Sequence, residues 1–352
     1  MSNEIPAPRP RVAALPVYSR AAGSSRVRWR ASSNESSVAP SPVIAQAIAH
    51  AGANAHLYPT LTGEHLVDVL APRLGVSPDQ VVVGGGSLAL LQQALTAYTG
   101  PGTEVVHAWR SYEAYPILIG IADADAVPVA LDAEFRHDVE GMLAAITERT
   151  AAVLVCDPNN PTGTTLEPHR LRELVAGVPP HVLVLLDQAY QEFDENSLDV
   201  STVVADHPNV LVFRTFSKAY GLAGLRAGYA VGSPEVMRTM QAVAPPFGLN
   251  RIAEAAAVAA WSDVAHTDLI VRTVTECRTL LRAELARRGI ATPDSRANFV
   301  WLPVGADAER LEALCVEHGV SVRAFPGEGV RVTVGQPEAE AAVLAAVDEH
   351  LG

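Results

Sequence analysis

A mostly parallel α/β sheet covered on both faces by helices, joined to a smaller α/β unit, is the fold this sequence predicts. Two observations carry it. From residue 80 onward, short continuous apolar runs alternate with amphipathic stretches, the pattern of strands buried on both faces and separated by crossover helices. At 245–248 a Pro-Pro-Phe-Gly interruption ends that alternation, and an Ala-rich helical stretch with two further apolar runs follows.

Taken in order, residues 1–40 carry Pro, Ser and Arg with little periodicity around Tyr18 and Trp29, and read as an arm that orders against another surface. A helix is predicted over 42–51, with Val43, Ile44, Ala47 and Ile48 on one face. A buried strand at 81–83 is broken by Gly84-Gly85-Gly86-Ser87 and followed by a helix over 88–98. Strands are predicted at 105–106, 127–131, 151–156, 182–186, 210–213 and 227–231, and helices over 113–121, 139–146 and 167–176. Beyond the interruption come a helix over 251–288 and strands at 299–302 and 329–334. The expected organisation is an arm with part of the small domain over 1–40, a large domain over 41–245 and a small C-terminal domain over 246–352.

Composition narrows the function. The 352 residues are 49% hydrophobic, enough for two cores. A net charge of −13 argues against nucleic acid and anionic membranes as partners, since both need a basic surface. Cys156, Cys277 and Cys315 are few, odd in number and widely spaced, which fits a reducing cytoplasm and gives neither a disulfide framework nor metal-ligand spacing. The first ten residues lack a signal-peptide core, and no apolar run is long enough for a transmembrane helix. A cytoplasmic protein without metal is expected.

Four segments at predicted strand ends can carry chemistry, because ligands of open α/β sheets sit beyond the carboxyl ends of the strands. They are Gly84-Gly85-Gly86-Ser87, Asn159-Asn160-Pro161-Thr162-Gly163, Asp187-Gln188-Ala189-Tyr190, and Thr215-Phe216-Ser217-Lys218-Ala219-Tyr220-Gly221-Leu222-Ala223-Gly224-Leu225-Arg226. Singly they read as a tight turn, a second turn, a helix cap and a solvated lysine. Together they supply a lysine that can form an imine, an aspartate that can protonate a pyridine, and a Ser/Arg pair that can hold a phosphate. Those are the parts needed to use pyridoxal 5′-phosphate (PLP).

On these motifs the chain resembles the fold-type I PLP-dependent aminotransferases, in the branch holding the histidinol-phosphate and aromatic (phenylalanine-type) enzymes. The likeness runs over about 18–334. The segment Trp109-Arg110-Ser111-Tyr112-Glu113-Ala114-Tyr115-Pro116 is similar to the aromatic subgroup. The resemblance implies that Lys218 binds the cofactor covalently and shuttles the proton, that Asp187 pairs with the pyridine nitrogen, and that Asn160 and Tyr190 face the phenolic oxygen. It implies Tyr112 stacked on the ring, and Gly86, Ser87, Leu88, Thr215, Ser217 and Arg226 around the phosphate. Tyr58, in Leu57-Tyr58-Pro59, would reach the phosphate of a neighbouring subunit, so that a homodimer shares its active sites. Arg331 would grip the substrate α-carboxylate, the alternative being a surface arginine on an edge strand. Arg323, Asn34 and Tyr18 would contact substrate, with solvent as the alternative for Arg323 and a plain loop for Asn34. Trp109 and Tyr115 would line a side-chain pocket or fill core, with core favoured for Trp109.

Three segments depart from the family pattern. Gln188 stands where relatives have glutamate, the arm lacks the Tyr-x-Pro-Gly form, and Asn34-Glu35-Ser36-Ser37 drifts from Asn-Glu-Asn-Pro. The expected activity is transamination between an aromatic L-amino acid and a 2-oxo acid such as 2-oxoglutarate. The alternatives are L-histidinol phosphate as amino donor, with Arg20, Arg26 and Arg323 supplying some of the hydrogen-bond donors its phosphate needs, and a PLP-dependent lyase or decarboxylase on the same fold.

Overall fold

The computed structural model describes residues 6–17, 27–196 and 198–352. Strands β1 (Val81–Gly84), β2 (Glu104–Trp109), β3 (Asp125–Ala130), β4 (Thr150–Cys156), β5 (Leu183–Asp187), β6 (Val210–Thr215) and β7 (Gly228–Val231) form a seven-stranded sheet. Their order is β1-β7-β6-β5-β4-β2-β3. All pairings are parallel except those of β7, which runs antiparallel to both β1 and β6.

The central strands are apolar at nearly every position because both faces are covered, and the two-residue period divides their side chains between two cores. Val153, Val155, Val184, Leu186, Val210 and Val212 point to one side. Leu154, Cys156, Leu185, Leu211 and Phe213 point to the other. The first side is covered by helices α1 (Pro42–Gly52), α2 (Glu64–Leu74) and, from far along the chain, α5 (Arg251–Ser262). The second is covered by α3 (Ser87–Tyr98) and α4 (Ala114–Ile121). Each fully buried aliphatic side chain contributes about 1.5–3 kcal/mol.

In α1 the Ser41 hydroxyl accepts from Ile44 N at 3.3 Å, and Pro42 opens the first turn. Ile44 is buried, whereas Val43 is 59% exposed. One residue is a 100° rotation, and the helix turns position 44 rather than 43 to the sheet. The predicted helix over 251–288 is two helices. Asp263 ends α5 and caps α6 (Val264–Arg287), accepting from His266 N at 3.2 Å. The core changes at this break. Ala253, Ala257 and Trp261 of α5 belong to the large-sheet core, while Ile270, Val274 and Leu281 of α6 pack in a second one. Helix α5 packs in the large-sheet core although it follows the 245–248 interruption. Helix α2, with Pro72 inside it, lies outside the predicted set.

The second core is completed by β8 (Phe299–Leu302), β9 (Arg323–Phe325) and β10 (Gly329–Thr333), antiparallel in the order β9-β10-β8. The arm contributes Trp29–Arg30, which pair in parallel with Val320–Ser321. Earlier in the arm, Arg11 reaches Asp125 Oδ1 at 2.6 Å. Among the described residues, no helix is long and apolar enough to cross a membrane.

Candidate active site

The carboxyl ends of β1, β2, β4, β5 and β6 open into one cavity of roughly 280 Å³, closed from the other side by β9, β10 and residues 32–35. At its first end, β1 turns through Gly85 and Gly86 into α3. Gly86 has φ +99°, and a Cβ there would lie 2.6 Å from Arg226 Nη2. A Cβ on Gly228 of β7 would lie 2.5 Å from Ser87 N. These two glycines let a helix N-terminus, a guanidinium and a strand meet with no side chain between them. Arg226 Nη1 donates to Ser217 Oγ at 3.0 Å, and Thr215 Oγ1 donates to the same hydroxyl at 3.0 Å. Unsatisfied N–H groups at the start of α3, three hydroxyls and a guanidinium form a cradle suited to a phosphate. Arg226 is exposed, so this end opens to solvent.

Lys218 follows β6 by three residues. Its Nζ donates to Asn34 O at 3.1 Å and Ser33 O at 3.4 Å, and lies 5.6 Å from the Tyr190 ring centre. Lost hydration lowers its pKa to about 7, helped by the charges of Arg331 and Arg226. Asp187 ends β5 and is 6% exposed. Its carboxylate accepts from Tyr115 Oη at 2.8 Å and Ala189 N at 3.1 Å. Burial raises its pKa, opposed by those two bonds and by the Lys218 charge. Two neutral donors do not fully replace the water this carboxylate has lost, and a protonated ring nitrogen would complete its shell. Tyr190 Oη accepts from Asn34 Nδ2 at 2.9 Å. Cradle, half-buried amine and buried carboxylate therefore fit PLP.

Across the cavity, Arg331 lies on the middle strand β10, not on an edge, and is buried. It donates to Asn160 Oδ1 and to Ser32 O, each at 2.6 Å, and packs over the Phe299 and Phe325 rings. Asn34 is buried in a left-handed backbone conformation (φ 54°) rather than in a solvated loop, and Thr333 Oγ1 meets both its N and its Oδ1. Arg323 lines the cavity and is bound by Glu113, at 2.9 Å from Nη2 and 3.2 Å from Nε.

The structure thus brings together Ser87, Leu88, Tyr112, Asn160, Asp187, Tyr190, Thr215, Ser217, Lys218, Arg226, Arg323, Arg331 and Asn34 around one cavity. Tyr58 stands apart, 78% exposed and stacked on Phe247 at 4.7 Å. Tyr18, Arg20 and Arg26 lie outside the described residues. Trp109 stays off the cavity lining, with Arg110 stacked on it at 4.1 Å. Tyr115 is both core and site, fully buried with its hydroxyl on Asp187. Its signal in the sequence is a polar-tipped side chain in an otherwise apolar helix. Glu113 and Ser32 also went unassigned by the sequence reading. Gln188 accepts from Arg214 Nε and Nη2 at 3.1 and 2.9 Å, so its amide belongs to a buried structural contact.

The family described as aminotransferase class I and II matches residues 31–347. An aromatic amino acid aminotransferase of Thermobifida fusca is 47% identical over 318 residues, covering 89% of this chain and 88% of that protein. One of Cutibacterium acnes is 40% identical over 326 residues, covering 92% and 93%. Among solved structures, histidinol-phosphate aminotransferase from Sinorhizobium meliloti in complex with pyridoxal-5′-phosphate superposes with a TM-score of 0.91 at 28% identity, covering 100% of this chain and 99% of that one. Thermus thermophilus aspartate aminotransferase with maleate shares the fold, with a TM-score of 0.84 at 22% identity and 99% of each chain covered.

Proposed function

We propose an aromatic L-amino acid as the amino donor, and a 2-oxo acid such as 2-oxoglutarate as the acceptor, of this chain, which belongs to the class I and II aminotransferases and is a PLP-dependent transaminase. The observation that carries the reading is the convergence of the Lys218 amine, the Asp187 carboxylate and the Arg331 guanidinium on one cavity. The aromatic preference is supported by the relatives of that name at 40–47% identity over most of the chain.

Bound PLP supplies an aldehyde that condenses with amines and a pyridine ring that accepts the electrons left at the substrate Cα. The chain does the rest. Arg331 holds the α-carboxylate on its planar fork. Lys218, whose pKa of about 7 leaves much of it neutral at physiological pH, removes the Cα proton. Asp187 would hold a proton on the ring nitrogen, and Tyr115 fixes the carboxylate that would do so. Asn160 and Tyr190 would hold the cofactor's phenolic oxygen, Tyr112 would cover its ring, and the Ser87–Arg226 cradle would take its phosphate.

The open cradle and the exposed Tyr58–Phe247 stack support a homodimer in which Tyr58 completes the phosphate site of the second copy. The three buried free cysteines support a cytoplasmic location.

L-Histidinol phosphate is the lesser reading, favoured by the structural likeness at a TM-score of 0.91. Its dianion needs several convergent donors. Of the candidates, Arg323 is engaged by Glu113. Turnover of phenylpyruvate against imidazole acetol phosphate, with glutamate as donor, separates the two. We expect phenylpyruvate to be preferred by at least about tenfold in kcat/KM, or about 1.4 kcal/mol. A preference for the phosphate would overturn the aromatic assignment.

A further inference from the structure

The geometry points to Glu113 as a specificity-determining residue, which holds Arg323 and so weakens, without excluding, the binding of substrates with anionic side chains, 2-oxoglutarate among them, relative to aromatic ones. This inference rests on the transaminase reading of the cavity.

Lys218, Arg226, Arg323 and Arg331 bring positive charge to the cavity lining. The first two face the cofactor end and Arg331 the α-carboxylate. Arg323 is the cross-strand neighbour of Arg331, paired with it in register on β9 and β10. Side chains so paired start about 5 Å apart. A guanidinium at that spacing is placed to attract the second carboxylate of a dicarboxylic substrate. Glu113 already occupies it. Oε1 lies 2.9 Å from Nη2 and Oε2 3.2 Å from Nε, so both carboxylate oxygens engage the guanidinium. The two side chains are only 15% and 25% exposed, which limits screening by water and salt. Glu113 directly follows Tyr112, so one short segment supplies both the ring that would cover the cofactor and the carboxylate that occupies the arginine. A dicarboxylate must draw Arg323 away from Glu113 to enter. An aromatic side chain leaves the pair closed.

A second ion pair, Arg110 with Glu328, links the same two parts of the molecule, but neither residue lines the cavity. It provides the control. The experiment titrates holoenzyme calorimetrically with two unreactive probes, glutarate and 3-phenylpropionate. Glu113→Gln is expected to tighten glutarate binding by about tenfold, equivalent to about 1.4 kcal/mol, and to leave 3-phenylpropionate within about twofold. Glu113→Gln combined with Arg323→Gln should lose the gain, and Glu328→Gln should show none. Glutarate affinity unchanged by Glu113→Gln would overturn the assignment. An equal gain in Glu328→Gln would also overturn it, by showing that loosened packing between the two units is the cause. Wild-type enzyme binding 3-phenylpropionate no better than glutarate would count against the aromatic donor instead, while the change caused by Glu113→Gln would still test Glu113.

Discussion

The large sheet furnishes its wall of the cavity from strand ends. Asp187 closes β5, Thr215 closes β6 with Lys218 three residues on, and Ser87 follows the turn after β1. The opposite wall takes Arg331 from the middle of one strand, Arg323 from the start of its neighbour, and Asn34 from a segment nearly three hundred residues earlier that meets Thr333. A parallel sheet delivers every strand end to the same edge, so its wall is rigid and common to any chemistry with this cofactor. The second wall is assembled from distant pieces and meets the part of the substrate that varies. Damage to the first should therefore lower kcat for all substrates alike, and damage to the second should change KM and discriminate among them.

Lys218→Ala offers the largest effect. It should abolish covalent cofactor attachment, read by borohydride trapping and mass spectrometry, and lower kcat at least about 10,000-fold with every amino acid tried. The fold should persist, because the side chain is half-buried and, among the described residues, its amine donates to the Ser33 and Asn34 carbonyls rather than to a buried carboxylate. Asp187→Asn follows. It preserves shape and removes the charge, and a fall of about 1,000-fold in kcat is expected. The fall must be parallel for phenylalanine and glutamate. A loss confined to one of them would move Asp187 to the other wall and break the contrast.

Arg331→Gln tests the second wall. Losing a charge-assisted grip on a carboxylate should raise KM about 30-fold for donor and acceptor, with a smaller change in kcat. It also probes the coupling between the walls, because the Arg331 charge helps to lower the Lys218 pKa. A lysine attaches the cofactor as the neutral amine, which grows as pH rises through the pKa. Attachment by the apoprotein should therefore increase through pH about 7 in the wild type. In Arg331→Gln that midpoint should move upward, since one repelling cation is gone. An unmoved midpoint would mean that lost hydration and the remaining charges, Arg226 among them, set it without Arg331.

The difference between the walls also governs what could be read from the sequence. Asp187, Asn160 and Lys218 each end or follow a run of buried residues, so local pattern located them and their joint order gave them meaning. Glu113 could not be found that way. Its importance comes from Arg323, more than two hundred residues away, and no local pattern carries that pairing. The same reason explains the helix that proved to be two. The residues around Asp263 keep a helical composition, and only tertiary packing shows that α5 covers the large sheet while α6 belongs to the other core. Arg331 was assigned through its motif, but its place on a middle strand became visible only once β8 and β9 were seen to flank it.

The smallest expected effect sharpens the contrast most, because Tyr115 sits where the two walls meet. It is the second residue of α4, two residues after Glu113, yet its hydroxyl donates to Asp187 at 2.8 Å. Tyr115→Phe fills the same volume, so packing should survive. The carboxylate loses a donor that favours its charged form, and its pKa, already raised by burial, should rise further. The anionic form would then be lost at higher pH as pH falls, and the acid limb of the kcat/KM profile should move upward. At neutral pH the loss of one hydrogen bond to a charged group, discounted because Ala189 N still donates, should lower kcat about fivefold, or about 1 kcal/mol. If Tyr115 acts through Asp187, phenylalanine and glutamate must be slowed equally. If it acts instead only through its edge contact with Tyr112, which the phenylalanine ring keeps, the variant should leave kcat, KM and the acid limb unchanged. The two outcomes decide whether the hydroxyl serves the first wall, and they do so without disturbing either the amine or the arginine.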